Sequence, residues 1–259
     1  MKLTFYKYQG TGNDFIIIDN RQGDILLTTE QVNRLCDRKF GIGADGLMLL
    51  NLRDGYDFEM KYYNADGKES SMCGNGGRCL TRFAFDMGIK KEAYQFIAID
   101  GEHTARLVKN NWIELKMKDV STIEYSSGNS VLNTGSPHYI KVVKDVMAID
   151  VFKEGKEIRY SKEFEKEGLN VNFVQKVGKD KIIVRTYERG VEDETLSCGT
   201  GVTASALVAA NNDNGFNRIE VKTIGGNLAV EFDKTSETSF KNIWLCGPAI
   251  FVFKGEIGL

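Results

Sequence analysis

Two glycine-rich turns, each built around a cysteine, repeat at a fixed distance along the 259-residue chain. They are Cys73-Gly74-Asn75-Gly76 and Cys198-Gly199-Thr200-Gly201, which lie 125 residues apart. A helix-like run follows each turn, and a strand-like segment precedes each at the same offset, with Tyr62 matching Tyr187. A chance likeness of two turns would leave the flanking segments unrelated. The repeat therefore predicts two similar half-chains, each contributing one cysteine turn to a shared cleft.

The place of each cysteine, where a tight turn enters a helix, suits acid–base chemistry. Unpaired N–H groups and the positive dipole end of a helix N-terminus stabilise a thiolate and lower a cysteine pKa. The flanking glycines let backbone donors approach an anion such as a carboxylate. One thiolate and one thiol can remove a proton from one face of a carbon and deliver another to the opposite face. Cys73 and Cys198 thus predict a stereoinversion.

The composition argues against several other classes of protein. A net charge of −2, from 34 basic and 36 acidic residues without a dense run of either, offers no footprint for nucleic acid. The sequence has no apolar run near the roughly 18 residues of a membrane span and no signal-like core near its N-terminus. Five cysteines without zinc-type spacing fit a reducing compartment. We expect a cytoplasmic globular protein with no metal, no pyridoxal cofactor, and no nucleic-acid or membrane partner.

Hydrophobic periodicity places the remaining elements. Thr28 and Gln31 form a capping box ahead of a helix that Gly41 ends, and Cys36 and Cys79 lie on apolar helix faces. Cys246 lies in an apolar strand, so these three thiols are interpreted as packing residues. Turns are predicted at 110–111 and 225–226, and the polar stretch 119–129 is interpreted as the crossing into the second half. The strand with Phe251, Val252 and Phe253 is expected to return to the first sheet.

Three polar residues admit a plain structural interpretation as well as a functional one. Glu188 and Arg189 end a strand just before the second cysteine turn, where an exposed surface ion pair is the simpler alternative. Their register with Asn64 in the first half favours the cleft. His138, at the start of a strand, can equally cap a turn.

Several short segments spread along the sequence, taken together, closely resemble the diaminopimelate epimerase family. The resemblance covers nearly the whole chain, from Gly10 to Ala249, and the paired cysteine motifs are its most specific part. The segments that carry it are Gly12-Asn13-Asp14-Phe15, Asn64-Ala65-Asp66-Gly67, Cys73-Gly74-Asn75-Gly76-Gly77-Arg78, Pro137-His138, Glu188-Arg189-Gly190, Glu194-Thr195 and Cys198-Gly199-Thr200-Gly201.

The resemblance implies an α/β fold of the α+β type, with two pseudo-symmetric domains, each a curved, mostly antiparallel sheet wrapped around a central helix. We expect residues 1–118 with 249–259 to form the first domain and residues 119–248 the second. The implied activity is cofactor-independent interconversion of LL- and meso-diaminopimelate, a small amino-acid substrate of lysine and cell-wall precursor synthesis. A homodimer is also implied.

The resemblance further assigns roles to individual residues. Cys73 and Cys198 match the two acid/base thiols, and His138 and Glu188 match groups that tune the pKa of the thiols. The positions that match substrate contacts are Asn13, Asn64, Gly74, Asn75, Asn170, Glu188, Arg189, Gly199 and Thr200.

The sequence departs from the family pattern at three places. Gly46 stands where some members have a substrate-contacting glutamine, Ser136 replaces the usual asparagine before Pro-His, and Glu192-Asp193 lengthens a loop. Two alternatives stay open. A proline or hydroxyproline racemase also uses two cysteines but has no need of Arg189 and the asparagines for a second amino-acid end. A thiol redox or small-molecule binding protein predicts a stable Cys73–Cys198 disulfide in the working state.

Overall fold

The computed structural model describes residues 2–108, 111–211 and 213–259, and these divide into two compact units. One unit is Met1–Leu115 with Gly247–Leu259, and the other is Lys116–Cys246. Asn110, in the predicted 110–111 turn, lies outside the described residues. In the described part of the chain, no helix is long and apolar enough to cross a membrane.

Strands make up most of both units. In the first half of the chain they are β1 (Lys2–Gly10), β2 (Asn13–Asp19), β3 (Gly46–Asn51), β4 (Phe58–Asn64), β5 (Ala93–Ala98), β6 (Gly101–Leu107) and β7 (Trp112–Lys116). In the second half they are β8 (Glu124–Ser126), β9 (Asn129–Asn133), β10 (Pro137–Val142), β11 (Asn170–Gly178), β12 (Lys181–Glu188), β13 (Asp193–Thr195), β14 (Gly215–Thr223), β15 (Gly226–Lys234), β16 (Phe240–Pro248) and β17 (Ile250–Gly258).

The helices begin at recognisable caps or at the cysteine turns. They are α1 (Thr29–Cys36), α2 (Gly74–Asp86), α3 (Val151–Arg159) and α4 (Gly199–Ala209), with a short 3-10 turn at Val146–Ala148. Thr28 caps α1 through the predicted capping box with Gln31, and Asp150 caps α3 by accepting from Lys153 N. Cys73 and Cys198 are the N-cap residues of α2 and α4.

The two units repeat one order of strand pairing. In the first, β1–β2 is antiparallel, β2–β3 parallel, β3–β4 antiparallel, β4–β5 parallel and β5–β6 antiparallel. In the second, β9–β10, β10–β11, β11–β12, β12–β14 and β14–β15 follow the same sequence of directions. The last strand, β17, pairs antiparallel with β1. The repeat seen between the two cysteine turns thus extends to the connectivity of each unit.

Each unit encloses one helix in its sheet and packs a shorter helix outside. Helix α2 contacts β1, β2, β3, β4, β6 and β17, whereas α4 contacts β9, β10, β11, β12, β14 and β15. Small and apolar side chains surround α4, as enclosure by a sheet requires. The outer helices pack on the opposite sheet faces, α1 through Val32 and Leu35 and α3 through Val151. This confirms the expected fold class.

Several predicted boundaries were wrong. Helix α1 ends at Cys36, well before Gly41. The polar stretch 119–129 contains β8 and the start of β9, and α3 was not foreseen. The turn between β14 and β15 is formed by Ile224 and Gly225, one residue earlier than predicted, because Thr223 pairs with Gly226.

Candidate active site

The first cysteine turn lies where β2 begins and α2 starts. Cys73 has extended backbone angles (φ −90°, ψ 132°), and its carbonyl accepts the first helical hydrogen bond from Gly77 N at 2.7 Å. Its Sγ lies 3.6 Å from Oδ1 of Asn13, and the same oxygen accepts from Nδ2 of Asn75 at 3.2 Å. The structure therefore brings together four predicted site residues, Asn13, Cys73, Gly74 and Asn75.

A fully buried arginine supports this turn from inside the helix. Arg78 donates to the carbonyl of Gly74 at 3.3 Å, to Oδ1 of Asn75 at 3.0 Å and to Oγ1 of Thr11 at 3.4 Å. Gly10 permits this packing, because a β carbon there would meet Arg78 and the Asn75 carbonyl at 3.3 Å. Arg78 fixes the orientation of the Asn75 side chain, a role that its position in the Cys-Gly-x-Gly-Gly-Arg run did not reveal.

A cluster of charges holds Asn13 in place. Nδ2 of Asn13 donates to Oδ2 of Asp45 at 2.6 Å, and Arg38 bridges Asp45 and Asp14 at 2.7 and 2.6 Å. Lys7 lies 2.7 Å from the other Asp14 oxygen. Burial alone would raise the pKa of Asp14, but hydrogen bonds from Arg38 and Lys7 outweigh it and lower the pKa to about 2. Asp14 is therefore ionised at any working pH.

Asn64 lies at the same edge of the sheet, at the end of β4, and is exposed. It pairs with Gly46, which in turn pairs with Phe15, so these three positions share the sheet face that packs against α2. At Gly46 a β carbon would lie 2.6 Å from the Tyr62 ring and 2.7 Å from the Tyr63 carbonyl. The ring of Tyr62 fills the space of a side chain at 46, which explains why glycine stands there.

The second cysteine turn has the same form. Cys198 is buried, with 7% exposure, and its Sγ lies 3.5 Å from Oγ1 of Thr200. Its carbonyl accepts from Val202 N at 2.8 Å, and the Thr200 carbonyl accepts from Oγ1 of Thr134 in the β9–β10 turn at 2.8 Å. Cys198, Gly199 and Thr200 thus form the start of α4, as Cys73, Gly74 and Asn75 form the start of α2.

His138 lies fully buried beneath the first turn of α4. Nδ2 of Asn172 donates to its Nδ1 at 3.0 Å, which assigns the ring proton to Nε2. Burial, with a smaller contribution from the charge of Arg189, lowers the pKa of His138 to about 3, so the ring is neutral. Gly201 packs against this pair, since a β carbon there would lie 2.3 Å from Oδ1 of Asn172.

Asn172 is not among the residues predicted for the site, yet it organises this corner. Its Nδ2 also donates to the Tyr139 carbonyl at 3.2 Å, and its Oδ1 accepts from Thr186 at 2.9 Å. The buried amide therefore ties β10, β11 and β12 together and fixes the His138 tautomer. The alternation of Asn170 and Asn172 on one strand face was the available signal.

Asn170, Glu188 and Arg189 meet at the ends of β11 and β12. Oδ1 of Asn170 accepts from the Arg189 backbone N–H at 2.9 Å, and the guanidinium donates to the Glu167 carbonyl at 2.9 Å. Oε2 of Glu188 accepts from Oγ1 of Thr195 at 2.8 Å. These contacts join Glu188 to β13 and Arg189 to Asn170 and Glu167, which goes beyond the plain reading of the two residues as a surface ion pair.

The three remaining cysteines are buried away from the starts of α2 and α4. Burial raises the pKa of Cys36 to about 12 and that of Cys79 to about 12, so both stay protonated thiols near neutral pH. Cys246 is also buried, on β16. Each of the five cysteines is a thiol rather than half of a disulfide.

The fold is shared with solved structures of low sequence identity. A Bacillus anthracis phenazine biosynthesis protein of the PhzF family aligns with a TM-score of 0.71 and 16% identity over all of both chains. A hydroxyproline epimerase from Agrobacterium vitis aligns with a TM-score of 0.70 and 12% identity, over all of this chain and 93% of the other. These likenesses define the class of fold: two repeated sheet-and-helix units.

Sequence comparison narrows the class to one family. The family model described as diaminopimelate epimerase matches residues 5–123 and 130–252. A protein of that name from Flavobacterium psychrophilum is 50% identical over 99% of this chain and 100% of its own length. Another, from Chlorobaculum tepidum, is 43% identical over 96% of this chain and 99% of its own. The chain belongs to the diaminopimelate epimerase family, which confirms the resemblance found in the sequence.

Proposed function

We propose that the protein interconverts LL- and meso-diaminopimelate by moving a proton at one α carbon, with Cys73 and Cys198 as its acid and base. The observation that carries this proposal is their shared position, since each cysteine is the N-cap of the enclosed helix of its unit. Membership of the diaminopimelate epimerase family supports the substrate. Such an activity belongs to lysine synthesis.

The helix starts supply what the chemistry needs besides the thiols. Removal of the α proton builds negative charge on the carbon and its carboxylate, and N–H groups at a helix N-terminus stabilise that charge. Gly74 and Asn75 in one unit, and Gly199 and Thr200 in the other, present such groups. One sulfur acts as thiolate and takes the proton, while the other acts as thiol and gives one to the opposite face. In the reverse reaction the two roles exchange.

The polar residues beyond the turns are assigned to the second amino-acid end of the substrate. Arg189 and Asn170 contact one another at one strand end, and Asn64 lies exposed at the matching strand end of the other unit. Asn13, beside Cys73, is assigned to the reacting end, together with Glu188. His138 and Glu188 are assigned to tuning the Cys198 thiol, His138 as a neutral imidazole rather than as a cation.

Substrate choice is tested by comparing turnover of diaminopimelate, proline and lysine. A substrate without the distal amino-acid end leaves the polar groups assigned to that end unpaired in the complex, which costs several kcal/mol, on the order of 10²-fold or more in kcat/KM. We expect turnover of diaminopimelate alone. Equal or better turnover of proline would replace this assignment by the racemase alternative.

We further propose a homodimer in the cytoplasm. The family resemblance supports the dimer, and five cysteines without zinc-type spacing support a reducing compartment. Analytical sedimentation at several protein concentrations measures the oligomeric state, and a monomer at every concentration would refute the homodimer.

A further inference from the structure

The turn between β12 and β13, which carries Glu188 and Arg189, is closed by Glu192. The backbone N–H of Glu192 donates to the Glu188 carbonyl at 2.8 Å. Glu192 itself has φ of +58°, in the left-handed region that residues with a β carbon adopt only at a cost. Something in the turn therefore has to offset that cost.

The carboxylate of Glu192 gathers donors from three segments. Its Oε1 accepts from Gly190 N at 3.0 Å, inside the turn. Its Oε2 accepts from the hydroxyl of Tyr160, just after α3, at 3.0 Å and from the hydroxyl of Tyr187, in β12, at 3.1 Å. Nε of Arg159 lies 3.7 Å away. One side chain thus ties the turn to the end of α3 and to β12.

The residues bound by Glu192 also contact the segment that binds the Arg189 guanidinium. Arg189 donates to the carbonyls of Glu167 and Gly168 at 2.9 and 3.2 Å. Gly168 in turn packs on the Arg159 guanidinium, since a β carbon at 168 would lie 2.3 Å from it. Arg159 therefore contacts both the support of Arg189 and the carboxylate that closes its turn.

We propose that Glu192 is a positioning residue for substrate binding, which holds the 188–192 turn so that Arg189 meets the distal amino-acid end of the substrate. This proposal rests on the proposed function, because Arg189 binds the substrate only if the protein acts on diaminopimelate. Glu192 acts through Arg189 and takes no part in proton transfer. Its loss is expected to weaken binding of ground state and transition state alike, and so to raise KM more than it lowers kcat.

The test compares Glu192→Ala with Asp193→Ala in diaminopimelate epimerisation. Loss of uniform binding raises KM and leaves kcat unchanged, so KM of Glu192→Ala is expected to rise about tenfold with kcat within about twofold. Asp193→Ala removes the same charge from the adjacent residue, whose carboxylate accepts from the N–H of the next residue in β13, Glu194. It is expected to leave KM unchanged.

Tyr160→Phe supplies a milder variant should Glu192→Ala fold poorly. It removes one donor to Glu192 and is expected to raise KM by a smaller factor. Combining it with Glu192→Ala should raise KM no further than Glu192→Ala alone, because both changes break one network. An additive rise would overturn the proposal.

Hydrogen exchange separates failure of this proposal from failure of the proposed function. The amides of Gly190 and Glu192 are expected to be protected in the wild type and to exchange faster in Glu192→Ala. Faster exchange with unchanged KM would show that Glu192 holds the turn without serving binding, and would overturn the proposal. An equal KM rise in Asp193→Ala would also overturn it. A wild type that exchanges as described but does not turn over diaminopimelate would refute the proposed function instead.

Discussion

At the scale of single residues, the five cysteines separate into two groups by their surroundings. Cys73 and Cys198 are the N-cap residues of α2 and α4, whereas Cys36, Cys79 and Cys246 are buried away from those helix starts. Cys73→Ala and Cys198→Ala are each expected to lower epimerisation in both directions by at least about 10²–10⁴-fold, because the deleted group is base one way and acid the other. Cys36→Ala and Cys246→Ala serve as controls and should lower thermal stability while keeping activity. Near-normal rates in either of the first two variants would exclude that cysteine from the chemistry.

His138 is expected to influence the pH profile without titrating in the working range. One thiol must be ionised while the other stays protonated, so activity should follow a bell with an optimum on the alkaline side of neutrality. His138→Asn replaces the neutral imidazole beneath the α4 turn by an amide and should move one limb of the bell. Measuring kcat/KM from pH 6 to about 10 checks this, and an unchanged profile would reduce His138 to a packing residue.

The same histidine makes a separate prediction about acid stability. The unfolded chain takes up a proton on His138 near its ordinary pKa of 6.5, whereas the folded protein does so only near about 3. Unfolding therefore becomes easier as the pH falls through that window. Urea unfolding at several pH values between 6.5 and about 3 should show that the free energy of unfolding falls more steeply in the wild type than in His138→Asn. The same pH dependence in both proteins would contradict a buried neutral ring at His138.

At the scale of elements, the two cysteine helices differ in what lies against their third residue, which is a glycine in both. At Gly201 a β carbon would lie 2.3 Å from Oδ1 of Asn172, whereas at Gly76 it would meet the flexible ends of Met48 and Met60 at 3.3 and 3.4 Å. Gly201→Ala should destabilise the protein by about 1–3 kcal/mol, with Gly76→Ala nearly neutral as its matched control. Thermal unfolding of the two variants measures the difference. Equal losses would show that the Asn172 contact does not constrain α4.

Elements with a strong local signal could be predicted from the sequence, and those without one could not. Thr28 and Gln31 are a capping box whose meaning does not depend on the rest of the fold. Helix α3 carries Gly155 at its centre, a residue that disfavours helix locally. That glycine is required because a β carbon there would lie 2.4 Å from Tyr187. Strand β8 is three mostly exposed residues that show no apolar alternation.

At the scale of the whole molecule, the repeat of one unit in the other is what allowed the two cysteine turns to be predicted from the sequence. The cysteine turns kept their spacing, so Cys73 with Gly74 and Cys198 with Gly199 were found as pairs, and both pairs start helices in the structure. The contacts behind them differ between the units and carry no common pattern. Arg78 supports the first turn and the Asn172–His138 pair supports the second. These depend on tertiary packing, which a repeat in the sequence does not record.

The central claim, that two thiols share one inversion, is tested most directly by the first turnovers in deuterated water. A thiol carries one proton, so the hydrogen taken by one sulfur is not the one given by the other, which has already exchanged with solvent. We expect deuterium to enter the product epimer early, while recovered substrate stays nearly unlabelled. Equal initial rates of labelling in substrate and product would instead point to a single base acting on both faces and would contradict the account.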